Sequence, residues 1–309
     1  MKAIGAVDIG GTKIAVGIVD DSGRVLSRQE APTQTAGPWP QALTLIADML
    51  RKAALEANAT IAGIGIGSTG PVDPLKGRFD NLDTIPHWSG ASPVDDLSRA
   101  FHVSVAMEND ADAGALGEAS WGAGQNKSRL IYITVGTGIG GGIILDGRLY
   151  RGVDGAHPEV GHQVLEANGP PCSCGLRGCW EALAAGPAMV KWMESHPEYT
   201  GGPGLTARRI YEHAMAGDPL AARAVERETF YLGIGLANLV NLFTPDAIIL
   251  GGSVIKSAGV FLEDIRKVMQ QGCRFVPLEK VEITLASLGD DANLIGAARV
   301  WHHRFAQRQ

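Results

Sequence analysis

The fold is decided by the stretch "DIGGTKIAVGIVDD", residues 8–21, and by its echo "VGTGIGGGIILD", residues 135–146. Each stretch places a glycine turn between two apolar runs, which is the pattern of a β-hairpin. At a constant offset of 125 residues, six positions of the first stretch recur in the second. The identical pairs are Gly11 and Gly136, Thr12 and Thr137, Ile14 and Ile139, Gly17 and Gly142, Ile18 and Ile143, and Asp21 and Asp146. The echo predicts two related hairpins, one in each half of a duplicated fold.

The rest of the chain alternates strand-like and helix-like segments. Short apolar runs that predict strands include "IAGIGIGS", "VSVAMEND" and "DAIILGGS". The spacing of apolar residues predicts helices at 40–57, 219–243, 256–271 and 291–305. Such alternation indicates an α/β protein. We expect a small N-terminal domain at residues 1–114 with a closing helix at about 291–309, and a large domain at 115–290 that contains a loop at 162–181.

Composition and charge narrow the class of protein. With 309 residues, of which 45% are hydrophobic and 19% charged, the chain has the composition of an ordinary globular protein. The net charge of −6 argues against nucleic acid as the main partner. No apolar run is long enough to span a membrane, and Asp8 interrupts the N-terminal apolar run before it could form a signal peptide. We therefore expect a cytoplasmic protein without a membrane partner.

The two glycine turns are candidate phosphate sites. Backbone N–H groups of a tight glycine turn can point at one anion, and the missing Cβ lets a phosphate come close. Asp8 alone would repel a phosphate. Its position is explained if it binds Mg²⁺ directly or through water, because Mg²⁺ is usually bound by a few carboxylates, water and phosphate oxygens. The alternative is a pair of ordinary hairpin turns. The candidate phosphate-binding residues are Asp8, Gly10, Gly11, Thr12, Lys13, Gly136, Thr137 and Gly138.

Two other phosphate motifs do not explain these turns. The chain has no G-x-x-x-x-G-K-[ST] sequence, so a P-loop is excluded. Residues 136–141 fit G-x-G-x-x-G, but a dinucleotide site needs a helix directly after the glycines. The strand-like "IILDGRLY" follows instead. We therefore treat this match as accidental.

Three of the four cysteines fall within the segment "HQVLEANGPPCSCGLRGCWE", residues 162–181. Cytosolic thiols stay reduced, so clustered cysteines there hold metal more often than they form disulfides. His162, Cys172, Cys174 and Cys179 offer three thiolates and one imidazole, which is a donor set of closed, structural Zn²⁺ sites. The alternative is a group of buried cysteines without metal. We expect a structural zinc ion that performs no chemistry.

The opening "DIGGTK", the turn "VGTGIGGG" and the pattern E-x-x-H…C-x-C…C-x-E together resemble the ROK family of sugar kinases and repressors. The resemblance covers nearly the whole chain. It implies an actin-like ATPase (ribonuclease H-like) fold with ATP held in a cleft between two α/β domains. It also implies that Gly251 and Gly252 lie where such proteins hold the adenosine end.

The resemblance further implies the sugar site. It makes Asp110 the general base and Asn109 a ligand of a sugar hydroxyl, although Asp110 or Asp112 could instead cap the helix that follows. It adds Glu159, His162 and Glu181 as sugar ligands, because carboxylates accept hydrogen bonds from adjacent hydroxyls. Ser68 and Gly70, in the loop "STGPVD", are expected near the sugar.

The predicted function is an ATP-dependent hexose kinase that converts glucose to glucose 6-phosphate with Mg²⁺. His157-Pro158 departs from the glucokinase pattern of the family, which has small residues there, so a fructokinase or an N-acetylmannosamine or N-acetylglucosamine kinase is an alternative. A sugar-responsive repressor is less favoured, since Asp8 leaves no room for a preceding DNA-binding domain. The resemblance also implies a homodimer or homotetramer.

Overall fold

A computed structural model describes residues 1–82 and 84–305. The chain alternates strands and helices, so the predicted α/β class is confirmed. The strands are β1 (Lys2–Ile9), β2 (Lys13–Val19), β3 (Val25–Pro32), β4 (Thr60–Ser68), β5 (Val72–Asp73), β6 (Arg78–Phe79), β7 (Ser104–Asn109), β8 (Leu130–Val135), β9 (Ile139–Leu145), β10 (Arg148–Leu149), β11 (Ala247–Gly251) and β12 (Glu282–Leu285). The helices are α1 (Trp39–Glu56), α2 (Pro93–Phe101), α3 (Asp110–Trp121), α4 (Trp180–Ala184), α5 (Gly186–Glu194), α6 (Ala207–Met215), α7 (Pro219–Phe243), α8 (Ser253–Ala258), α9 (Leu262–Gly272) and α10 (Ala292–Phe305).

The two five-stranded sheets have the same plan. The first has the order β3-β2-β1-β4-β7 and the second the order β10-β9-β8-β11-β12. In the first sheet β1 runs antiparallel to β2 and parallel to β4, and β4 runs parallel to β7. The hairpins β1–β2 and β8–β9 therefore hold equivalent places. This confirms the duplication that the echo at an offset of 125 predicts.

Apolar side chains on β1, β2 and β4 form the core of the first sheet. Most residues of each of these strands are buried on both faces of the sheet, which explains the nearly continuous apolar sequence. Helix α1 covers one face and buries Ile46 and Leu50 among them. Trp39, Phe79 and Trp88 pack with ring centroids 5.2 to 5.9 Å apart and extend this core.

Glycines let the closing helix α10 pack against β4 and α3. A Cβ at Gly65 would collide with the carbonyl oxygen of Ala297, and one at Gly63 would collide with the Trp301 ring. Gly296 in turn lies against the backbone of Ala113. The glycine-rich sequence of β4 is therefore required by a helix that approaches unusually closely.

The chain divides into two compact units. One comprises Met1–Leu130, Gly142–Pro158 and the chain from Ala286 onward; the other comprises Ile131–Gly141 and Glu159–Leu285. The expected domain boundary after residue 114 falls inside α3. The last residues of the expected closing helix, 306–309, lie outside the described part of the chain.

Two predictions about helices and glycine turns can be compared directly with the structure. The expected single helix at 256–271 is wrong, because α8 ends at Ala258 and a 3-10 turn, Gly259–Phe261, precedes α9. The strand β9 begins at Ile139, within the G-x-G-x-x-G match, so no dinucleotide-type helix follows the glycines. Among the described residues, no helix combines the length and apolar character that a membrane span requires.

Candidate active site

In the first unit, three parallel strands end side by side and bring predicted site residues together. The register pairs Ile9 of β1 with Ser68 of β4, and Ser68 with Asn109 of β7. The carboxyl ends of parallel strands share one edge of a sheet, and ligands of α/β proteins bind at such edges. Asp8 and Asp110 are therefore at this edge by virtue of strand register alone.

Asn109 and Asp110 start helix α3. Asn109 is the N-cap residue, and its Oδ1 accepts a hydrogen bond of 2.8 Å from the Ala111 N–H. Asp110 Oδ1 accepts from the same N–H across 2.9 Å. A Cβ at Gly70 would lie 2.8 Å from Asn109 Nδ2, so the loop backbone passes close to this amide. Asn109 thus uses its oxygen as a cap and has its amide N–H groups for other partners.

Desolvation raises the pKa of Asp110 to about 6, the N–H of Ala111 and the His157 ring oppose the rise, and the Asp112 carboxylate adds to it. A carboxyl with such a pKa is still mostly ionised at neutral pH, and it is a stronger base than an ordinary aspartate. It therefore meets the electronic requirement for accepting a proton from a hydroxyl group.

Asp8 is a buried carboxylate that suits a divalent cation. Desolvation and then the negative charge of Asp110 raise the pKa of Asp8 to about 7, and Asn293 counteracts this with hydrogen bonds of 3.3 and 3.4 Å to the carboxylate. A cation bound at Asp8 would offset the repulsion from the Asp110 carboxylate that raises the pKa of Asp8. The carboxylate oxygens of Asp8 are donors of the kind that fit Mg²⁺.

Lys13, in the first turn, forms an exposed ion pair with Glu30 at 2.6 Å.

Both glycine turns close as tight backbone turns. In the first, the Gly10 N–H donates to the Lys13 carbonyl across 2.9 Å. In the second, the Gly136 N–H donates to the Gly138 carbonyl across 2.9 Å. The predicted residues Gly11 and Thr12 lie within the first turn, and Thr137 lies within the second.

In the second unit, Glu181 contacts the second glycine turn. Its Oε2 accepts a hydrogen bond of 2.9 Å from the Ile139 N–H. A Cβ at Gly138 would collide with this carboxylate. Position 138 therefore requires glycine because Glu181 occupies the space of a side chain. This requirement is independent of whether the turn binds phosphate.

A cavity of about 880 Å³ opens beside the second turn. Its walls combine aliphatic side chains with polar and charged ones, including three basic residues and Glu194. Gly251 and Gly252 directly precede Ser253, which lines the cavity. Gly252, at φ +94°, packs against the backbone of Val135. The lining residues are Gly136, Thr137, Gly186, Pro187, Val190, Lys191, Glu194, Leu205, Thr206, Ala207, Arg208, Ser253, Val254, Lys256 and Ser257.

The predicted metal ligands His162, Cys172, Cys174 and Cys179 converge, with their donor atoms all within 4.8 Å of one another. The Cys172 Sγ lies 3.4 Å from His162 Nδ1, and the Cys174 Sγ lies 3.5 Å from the Cys179 Sγ, too far for a disulfide. A tetrahedral zinc ion with ordinary bond lengths separates its ligand atoms by roughly 3.6 to 3.8 Å. The donor set and its spacing therefore fit Zn²⁺.

The cysteine loop depends on a glycine with a left-handed backbone. Gly178 has φ +67°, and a Cβ there would collide with the Glu166 carbonyl oxygen. The Val164–Cys179 and Pro171–Arg177 bridges close the loop at two levels. His162 stands at the end of a 3-10 turn, half-buried, with Nδ1 towards the sulfur atoms, while Glu159 is exposed.

Sequence reasoning missed a buried charge cluster around Asp112 in the first unit. Arg151 forms ion pairs with both Glu108 and Asp112, the latter at 2.6 Å. His157 Nδ1 lies 2.9 Å from Asp112 Oδ2. Burial raises the pKa of Glu108 to about 7 against the opposing charge of Arg151. Acidic residues at the alternate positions 108, 110 and 112 indicate a charged cluster in the sequence. Their basic partners lie some forty residues further along the chain, so the ion pairs could not be predicted.

Two sheets of the same order, paired glycine turns and a carboxylate at a strand end define a two-domain α/β protein with the actin-like ATPase fold. The chain belongs to the ROK family, which it matches over residues 4–304.

Individual relatives agree with this assignment. The Thermotoga maritima protein named glucokinase is 31% identical over 98% of both chains. The crystal structure of a ROK family glucokinase from Streptomyces griseus, in complex with glucose and AMPPNP, is 34% identical, covers 96% of this chain and 98% of its own, and has a TM-score of 0.80. The Bacillus subtilis xylose repressor is 35% identical, but over 78% of this chain and 61% of the repressor.

Proposed function

We propose that this protein is an ATP-dependent hexose kinase that transfers the γ-phosphoryl group of MgATP to glucose, giving glucose 6-phosphate. The observation that carries the proposal is the position of Asp110 directly after β7, at the same edge of the sheet as the end of β1, which bears Asp8. The similarity to glucokinases over nearly the full length supports the same activity.

Asp110 is proposed as the general base. Phosphoryl transfer through a loose transition state requires above all that the attacking hydroxyl be aimed in line and that its proton have an acceptor. An aspartate with a pKa of about 6 can accept that proton at neutral pH. Asn109 would hold a neighbouring sugar hydroxyl through its amide N–H groups, because its oxygen already caps α3.

The nucleotide would be held by three features of the chain. Asp8 would bind Mg²⁺ directly or through water, since its buried carboxylate carries a charge that a cation relieves. The glycine turns at Gly10–Lys13 and Gly136–Gly138 would donate backbone N–H groups to the phosphates. The cavity of about 880 Å³, which is lined by Ser253 directly after Gly251 and Gly252, would accept the adenosine end among aliphatic and polar side chains.

The sugar would be held by acceptors and donors around its hydroxyl groups. Glu159, His162 and Glu181 supply them in the second unit, and Ser68 and Gly70 stand in the strand and loop that lead away from β4 in the first. Because Glu181 already bonds the Ile139 N–H, its orientation is fixed before a sugar arrives. Such preorganisation lowers the entropic cost of binding.

We infer that the Cys3His cluster holds a structural Zn²⁺. Four protein ligands leave no open position for water, so the ion would fix the loop rather than act on the substrate. With Nδ1 of His162 facing the sulfur atoms, its Nε2 can donate to a sugar hydroxyl. The zinc loop would then set the orientation of a sugar ligand.

The test is ADP release from MgATP across a panel of glucose, fructose, N-acetylmannosamine and N-acetylglucosamine. We expect the highest kcat/KM with glucose. A preference for fructose or an N-acetylated sugar would replace glucose as the substrate but retain the class of enzyme. The absence of sugar-dependent ADP release with every sugar would contradict the kinase proposal and favour a sugar-binding regulator.

The cellular setting belongs to the same proposal. A kinase of free hexose that uses ATP works where ATP is abundant, so we propose a cytoplasmic location. We further propose a homodimer or homotetramer that binds neither nucleic acid nor membrane, in keeping with the net charge of −6. Light scattering of the purified protein with and without glucose would measure the oligomeric state.

A further inference from the structure

Helix α3 begins with Asp110, and the segment Gly142–Pro158 packs against its first turn. A Cβ at Gly142 would lie 2.7 Å from the Ala111 carbonyl oxygen and 3.0 Å from the Asp112 Cα. The middle of β9 therefore packs directly on the backbone next to Asp110. This close approach fixes one end of the segment.

The other end of the segment is attached through the Asp112 side chain. Asp112 is fully buried, and its Oδ2 lies 2.6 Å from Arg151 Nη1 and 2.9 Å from His157 Nδ1. Arg151 also pairs with Glu108, on the strand before Asp110. Buried charges of this kind are costly unless each is paired, so the contacts constrain one another strongly.

We propose that His157 is a positioning residue for phosphoryl transfer: through Asp112 it holds the end of the segment Gly142–Pro158 against the first turn of α3, and so fixes Asp110. The inference rests on the proposed kinase function. Pro158 follows His157 directly, and the next residue is the proposed sugar ligand Glu159.

His157 does not act on the substrate in this proposal. Its Nδ1 lies 2.9 Å from the buried Asp112 carboxylate, so the ring faces the first turn of α3. His157, one of the two residues that depart from the glucokinase pattern, would then align the base Asp110. A small misplacement of a reacting group can cost up to about a hundredfold in rate, so the effect should appear in kcat.

The experiment compares His157→Asn with His157→Gln in the full-length protein. The Asn amide nitrogen reaches the position of Nδ1 and can donate to Asp112, while the longer Gln side chain places the same group beyond it. Neither change removes a large buried volume, so both variants should fold, which thermal unfolding will check. His213→Ala, an exposed helical position in the second unit, is the matched histidine control.

With glucose and MgATP, we expect His157→Asn to keep kcat within about threefold of the wild type, and His157→Gln to lower it by about tenfold to a hundredfold. The KM for MgATP should change by less than about twofold in both. In a kinetic cycle, adding Asp112→Asn to His157→Gln should cost little more than the worse single change, because the two residues act through one contact.

Equal kcat values for the Asn and Gln variants, or fully additive losses in the cycle, would overturn the positioning role. A fall in stability of His157→Gln with an unchanged kcat would overturn it as well, and would assign the contact to folding alone. The wild type separates the two proposals. If the wild type shows no sugar-dependent ADP release, the kinase function fails and the inference falls with it.

Discussion

The Glu181 carboxylate accepts a hydrogen bond of 2.9 Å from the backbone N–H of Ile139. Glu181 is a proposed sugar ligand, and Ile139 begins the strand that follows the second glycine turn. The contact joins a proposed sugar ligand to a proposed phosphate-binding turn inside one unit. A displacement of either residue should therefore change the KM for both glucose and MgATP.

This contact predicts the effect of Gly138→Ala. The new Cβ would collide with Glu181 Oε2, so the carboxylate or the turn must move. We expect KM to rise by roughly tenfold for glucose and also for MgATP, since removing charge-assisted hydrogen bonds costs about 1.5 to 3 kcal/mol each. Steady-state kinetics with each substrate varied in turn will measure both values.

The control for this change is Gly202→Ala. No atom lies within 4 Å of a Cβ at position 202, so the substitution should leave both KM values unchanged. An increase confined to MgATP in Gly138→Ala would show that Glu181 does not couple the turn to the sugar.

His162→Ala should lower zinc content and glucose affinity together. The imidazole supplies one of four converging donor atoms, and its second nitrogen is the proposed sugar donor. We expect less than one zinc per chain, and we expect the KM for glucose to rise about tenfold, because a hydrogen bond to the sugar is lost and its partner is left unsatisfied. Metal analysis of the dialysed protein and glucose titration will measure the two effects.

Cys273→Ala is the control for the zinc experiment, because Cys273 is buried outside the cluster and contacts the Ala237 carbonyl. It should retain one zinc per chain. If His162→Ala also retained a full equivalent of zinc, the ligand role of His162 would be refuted.

The activity should depend on pH through Asp110. Its pKa is raised from 3.8 to about 6, and the base must be ionised to accept a proton. The kcat/KM for glucose should therefore be level above about pH 7 and fall about tenfold per unit below about pH 6. The charged groups that face Asp110 are Asp8, Asp112 and His157. A profile that stays level down to pH 5 would contradict this.

The repeat of the hairpins was enough to predict the duplicated sheets. Glycine and threonine recur at fixed offsets because the same turn is needed twice, and strand runs between such turns pair locally. The Cys3His cluster could also be predicted from the sequence, since its three cysteines are close in sequence and a single loop brings them together. Local chemistry of this kind can be recognised without knowledge of the fold.

Contacts between distant segments could not be predicted. Nothing in the sequence near Asp112 points to Arg151 or His157, and the collision between a side chain at 138 and Glu181 depends on how two separate loops meet. The boundary expected after residue 114 falls inside α3, and close glycine contacts between α3 and α10 lie within one compact unit.

Turnover of Asp110→Asn is the most direct test of the central claim. The substitution keeps the size of the side chain but removes the base, so kcat should fall by about a hundredfold to ten-thousandfold while glucose binding, measured by calorimetry, stays within about threefold. Asp48→Asn, an exposed aspartate paired with Arg51, is the matched control and should be fully active. If Asp110→Asn turned over glucose at nearly the wild-type rate, the assignment of Asp110 as the base would be contradicted.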